Sequence, residues 1–169
     1  MSIVERVKKV LLQPKSEWQI IAAETTTIAE LYKGYIVPLA AIGPVASIIG
    51  MSVIGISMPL IGTSRIPIGT SITHAVVGYA LTLVGVYVLS FIINALSSTF
   101  LGVRDSIQAL KLAAYSSTAA WLAGIFSLIP TLSILGLLGL YSLYLLYLGL
   151  PVLMKAPPEK ALIYTVVVV

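Results

Sequence analysis

From Leu112 to Met154 the chain carries 43 residues without a charge. As a single helix this stretch would reach about 65 Å, roughly twice the hydrocarbon thickness of a bilayer. It has to fold back on itself. Pro130, in SLIPTLS, marks the place, since proline disfavours helix in the residue before it, and Thr131 can cap the helix that follows. The pattern predicts two spans, at about 106–128 and 131–153, packed antiparallel across a tight connection. Pro151 lies near the end of the second, and Pro157-Pro158 terminates it.

Two further apolar stretches have the same character. Lys33 and Arg65 enclose 31 uncharged residues, which predicts a span at about 35–56. HAVVGYALTLVGVYVLSFIINALS predicts another at about 74–97. SMPLIGTSRIPIGTS and STFLGVRDS read as the flanking loops. In the closing PPEKALIYTVVVV the valines favour strand locally. A lone strand in lipid would leave backbone groups unpaired, whereas a helix satisfies its own. A half-length fifth helix is therefore expected at 159–169, entering where the fourth span ends. The predicted fold is an all-α, polytopic transmembrane helical bundle of four full spans plus a truncated fifth.

Composition supports this. The chain is 59% hydrophobic and 9% charged, where a soluble domain carries about 25% charged residues. The absence of cysteine removes disulfides and thiol chemistry, and a single histidine argues against a His-rich metal site. No cofactor is expected. The basic residues sit at the ends of apolar runs, which is an orientation signal and not a nucleic-acid surface. No signal peptide is visible in MSIVERVKKVLLQPK, so an uncleaved N-terminus is expected.

Residues 1–34 differ from the bundle at 35–169. Ile3, Val4, Val7, Val10 and Leu11 recur at helical spacing among Glu5, Arg6, Lys8 and Lys9. This predicts a basic amphipathic helix at 2–12, suited to a membrane surface with Val7 toward lipid and Lys8 and Lys9 toward headgroups and water. The alternative is a solvated helix packed on the rest of the protein. Pro14 stops it, and Ser16-Glu17-Trp18-Gln19 has a capping-box pattern that predicts a second short helix to about Ala23, with Trp18 at the membrane surface. Thr27-Ile28-Ala29-Glu30 repeats that pattern ahead of the first span.

Small residues recur at steps that let membrane helices approach closely: Gly43 and Gly50 on span one, Gly78 and Gly85 on span two, Ser116, Ala120 and Gly124 on span three. They fit packing within one bundle, or a self-association face. Pro38 and Pro44 kink span one. Ser90, Asn94 and Ser97 are the polar candidates inside span two. Asn94 needs a partner there, and a carbonyl near Pro38 or Pro44 is a suitable one. The other reading is a polar lining for a solute path. No acid or base lies deep in a predicted span, which argues against ion-coupled transport. No Ser-His-Asp set or phosphate loop is present, so an enzyme is not expected.

Four segments, LLQPKSEWQIIAAE, LYKGYIVPLAAIGPV, AAYSSTAAWLAGIFSLIP and LGLYSLYLLYLGLPVLMKAPPEKALIYT, together resemble the Yip-one (Ypt/Rab-interacting protein) family of multi-pass membrane proteins, in its prokaryotic branch. The resemblance implies five spans, a cytosolic N-terminus and no enzymatic activity. Eukaryotic members bind Rab GTPases in vesicle transport. The long cytosolic N-terminal region of those proteins is missing here, so Rab binding is not transferred to any residue.

The resulting expectation is a small integral protein of the cell (inner) membrane that acts through contacts with the lipid bilayer and with another membrane protein or itself, in a scaffold, membrane-organising or trafficking-like role. The alternative is a passive channel or transporter near Asn94. Lysine and arginine fix the orientation. Nine of ten fall on one side, with Arg65 alone opposite, so the N-terminus is expected in the cytosol. In this cysteine-free chain, Ser2→Cys should be protected from an impermeant thiol reagent in intact cells and Ser64→Cys should react. The reverse labelling would invert the topology.

Overall fold

The computed structural model describes residues 1–58 and 62–169. Helices α1 (Ile3–Leu12) and α2 (Pro14–Ala23) form an N-terminal hairpin. The Ser2 hydroxyl caps α1 by accepting the Glu5 N–H at 3.2 Å. α2 starts earlier than the Ser16 pattern suggests. Pro14 is its first residue, where the missing N–H costs nothing and φ is already helical, and the Ser16 hydroxyl instead donates to the Gln13 carbonyl at 3.1 Å. At Thr27 the expected capping box forms in full, with both the Glu30 and Thr27 backbone N–H groups satisfied reciprocally by side chains.

Among the described residues three helices are long and apolar enough to cross a membrane: Ile28–Ile54, Ile68–Leu96 and Pro130–Leu153. The Thr27 cap launches the first, as the sequence pattern predicts, and the helix continues into the stretch expected as span one. It widens into π turns at Tyr32–Ile36 and Ile49–Ile54. It stops at Gly55, whose φ of +85° is a backbone that glycine adopts readily. A short antiparallel hairpin follows, β1 (Ile56–Met58) with β2 (Gly62–Ser64), in the register Ile56 to Ser64. Only loop was expected there, and residues 59–61 of that loop lie outside the described residues. The second long helix starts at Ile68, so His74 sits nearly two turns inside it and not at its start.

The expected span at 106–128 is not one helix. It is built from Ser106–Ser116, Thr118–Ala123 and a 3-10 turn at Gly124–Leu128. At the break the Ser117 hydroxyl donates back to the Ala113 carbonyl at 2.7 Å, a bond that competes with the helical ladder and bends it. Pro130 is the first residue of the third long helix, so Thr131 does not cap it. Residues Pro130–Leu140 wind as 3-10 helix before Tyr141–Leu153 relaxes to α. The tail is helical from Pro158 to Val168, in line with the backbone argument and against the strand propensity of its valines.

The first long helix packs closest against the broken segment. Gly43 lies against Gly124, where an added Cβ on Gly124 would come within 2.8 Å of the Gly43 Cα. A Cβ on Gly50 would run into the carbonyl oxygen of Ser127. Around Gly78 and Gly85 there is open space. Gly50→Ala should therefore cost about 1–3 kcal/mol through backbone overpacking, while Gly85→Ala should be neutral or gain up to about 1 kcal/mol of helix propensity. Melting of the two variants in detergent checks this; equal melting points would disprove the contact.

Candidate functional site

The densest chemistry lies where the N-terminal hairpin meets the bundle. Arg6 shares a helix face with Ile3 and Val10, and it points inward with them. Its guanidinium donates to Glu17 Oε1 at 2.5 Å and to Glu24 Oε1. It also lies 5.7 Å from the centre of the Tyr115 ring. Glu17 is only 2% exposed. Burial pulls the Arg6 pKa down, but the Glu24 hydrogen bond and the surrounding negative groups outweigh it and hold the pKa above its ordinary value.

Lys111 completes the cluster from the broken segment. It is 2% exposed, although it stands directly before the uncharged run from Leu112 to Met154. Its ammonium donates to the Ile21 carbonyl at 2.8 Å and to the Glu24 carbonyl. Gln108 Nε2 donates to the Ala22 carbonyl at 2.9 Å. These oxygens belong to the C-terminal end of α2, where carbonyls lack helical partners and the helix dipole is negative. Lys111 thus caps α2 from another helix.

Below the charges sits an aromatic layer. Trp18, expected at the membrane surface, is 1% exposed and meets Tyr115 edge-on at 6.5 Å. Gly149 makes room for it, since a Cβ there would come within 2.9 Å of the indole. Tyr35 packs on Tyr115 at 4.5 Å and shares a 2.7 Å hydrogen bond with Thr118. The Tyr141 hydroxyl donates to the Leu11 carbonyl at 3.0 Å. α1 therefore turns its apolar stripe toward protein: Val10 is in the core and Ile3, Val7 and Leu11 pack against it. Lys8 stays exposed, and Lys9 pairs with Glu5 at 3.7 Å. This matches the alternative of a helix packed on the rest of the protein.

A family model, the Yip1 domain, matches residues 8–169. The chain belongs to the Yip1 domain family. No curated protein and no solved structure matches it.

In this Yip1 domain the polar candidates of the second long helix lie close to one another. The Asn94 amide donates to the Ser106 hydroxyl at 3.1 Å, not to a carbonyl near Pro38 or Pro44. Its Oδ1 is buried without a partner. Ser90 and Asn94 line a cavity of about 60 Å³, room for one or two waters. Ser97 is fully buried and donates to the Asn94 carbonyl at 2.8 Å. Pro38 instead borders an open apolar groove with Ala41, Val45 and Leu128. Pro44 faces a second groove, with Ser47, Ser71 and His74. Ser116 is buried, and the Ala120 N–H donates to the Ser142 hydroxyl at 3.0 Å. No group of three or more His, Cys, Asp or Glu that could hold a metal occurs among the described residues.

Sequence reasoning missed the cluster, although Arg6 between Ile3 and Val10 on one helical face was a usable signal. Arg6→Ala should destabilise the Yip1 domain by about 3–5 kcal/mol, because it leaves the Glu17 carboxylate buried and unpaired. Lys9→Ala removes only an exposed pair and should cost under about 0.5 kcal/mol. Melting in detergent, with proteolysis reporting release of the hairpin, separates the two; equal effects would contradict the assignment.

Proposed function

We propose that this Yip1-domain protein is a non-enzymatic membrane scaffold that acts through helix contacts with another membrane protein or with a second copy of itself. In this reading the three long helices and the broken 106–128 segment all cross the bilayer, and the tail helix enters from the cytosolic side. The N-terminus is cytosolic and the membrane is the cell membrane.

One observation carries the proposal. The longest apolar helix, Ile68–Leu96, turns Val77, Leu81, Val84 and Val88 outward, and the outward-facing Gly78 and Gly85 have nothing packed on them. Small residues at this spacing let a further helix approach closely in lipid, where association depends on packing and not on the hydrophobic effect. The buried charges pair internally, so the hairpin is braced and its end of the bundle is rigid.

A photo-cross-linker placed at Val84 in native membranes should give a protein adduct of discrete mass. Gly78→Leu with Gly85→Leu should abolish it without lowering the melting point, since a Cβ at either position meets nothing within 4 Å and leucine is the better helix former. Adducts to lipid alone, or a protein adduct indifferent to the double substitution, would overturn the reading.

A further inference from the structure

The hairpin tip sits at a definable depth. Residues Pro130–Leu140 form eleven residues of 3-10 helix, which rise about 22 Å at roughly 2 Å each. With Pro130 placed at one edge of a hydrocarbon core about 30 Å thick, Tyr141 follows about 8 Å short of the other edge. Tyr141 is the residue that holds the tip, through the Leu11 carbonyl. On the second long helix Tyr87 stands 19 residues after Ile68, about 28 Å up. Exposed Tyr87, Tyr141 and Tyr144 thus form a belt on the side that carries the charged loops, as aromatics do at a membrane interface.

At that level Leu12 is 78% exposed, the highest value among the exposed large hydrophobic residues. Lys8 stands one turn above it on the same face, and Lys15 lies in the first turn of α2 beside it; both are exposed. Leu12 and Lys15 share an open pocket of about 410 Å³ with Gln13, Ser16, Tyr141 and Tyr144. An apolar tip below two ammonium groups complements an anionic phospholipid: acyl chain below, phosphate above. The patch is also continuous with the exposed apolar surface of the third long helix, where Leu137, Leu138 and Leu140 face outward.

We infer that the α1–α2 hairpin dips tip-first into one leaflet, with Leu12 among the acyl chains and Lys8 and Lys15 on the phosphates of anionic phospholipid. This inference does not rest on the partner reading above, because the tip meets lipid with or without a bound helix.

The test uses the full chain in nanodiscs of phosphatidylcholine with or without phosphatidylglycerol. An environment-sensitive fluorophore on Leu12→Cys should be quenched by a nitroxide carried on the upper acyl chain and spared by aqueous iodide. The same fluorophore on Val4→Cys, two turns higher, should show the opposite. Lys8→Gln and Lys15→Gln should each lower the retention of phosphatidylglycerol about fivefold, the contribution of one basic residue near an anionic surface, with no change in melting point. Iodide quenching at position 12, unchanged phosphatidylglycerol retention in both variants, or energy transfer between labelled copies with shielding from both quenchers would overturn the inference. The last result would assign the tip to a second copy.

Discussion

Arg6 between Glu17 and Glu24 is the interaction on which the charged end of this molecule depends. Taking a carboxylate as buried as Glu17 out of water costs several kcal/mol, and only a closed network repays it. Arginine suits the task because its planar fork offers donors to two acids at once and stacks on an aromatic ring; here the ring is Tyr115. The pairs tie α1 to α2, and Lys111 ties the end of α2 to the broken segment through backbone carbonyls. Three elements are thereby fixed by side chains that a soluble protein would leave in solvent.

The other half of the molecule is held differently. Toward the β-hairpin the sequence places Arg65 but no acid to pair with it, and surrounding lipid supplies no hydrophobic drive between helices. Backbone proximity takes over. Gly43 meets Gly124, Gly50 meets the Ser127 carbonyl, and the Ser127 hydroxyl donates to the Gly43 carbonyl at 3.4 Å. The 3-10 turn at Gly124–Leu128 brings that carbonyl to Gly50. Breaking the 106–128 helix therefore serves a close contact that a straight helix would not make. The same break places Thr118 under the Tyr35 hydroxyl.

What could be read from the sequence was local. The Thr27 capping box, the helical tail and the apolar runs follow from residues within a few positions of one another, and the family resemblance joined them into one architecture. The Ser16 pattern failed because a stronger local signal, proline at a first helical position, lay two residues earlier. Lys111 misled for another reason. A charge beside an uncharged run looks like a loop anchor, and nothing nearby shows that its partners are carbonyls 87 and 90 residues away. Trp18 fits an interfacial belt by type, and only the notch at Gly149 explains its burial. The 3-10 winding of Pro130–Leu140 has no counterpart in sequence, because a uniformly apolar run carries no periodicity to tell 3.0 from 3.6 residues per turn.

Taken together, these attachments explain why the hairpin has a fixed register against the bundle. Its upper end is held by Lys111, its middle by Trp18 seated at Gly149, and its tip by the Tyr141 hydroxyl on the Leu11 carbonyl. Sliding by one helical turn would carry the Ile21 and Glu24 carbonyls about 5.4 Å, beyond hydrogen-bonding reach of the Lys111 ammonium. It would also drive the indole against a side chain larger than glycine. An amphipathic helix that merely floated on the surface would need neither a buried ion network nor a glycine notch. These are features of a hairpin held in register against the bundle, and the register alone decides which of its residues reach lipid.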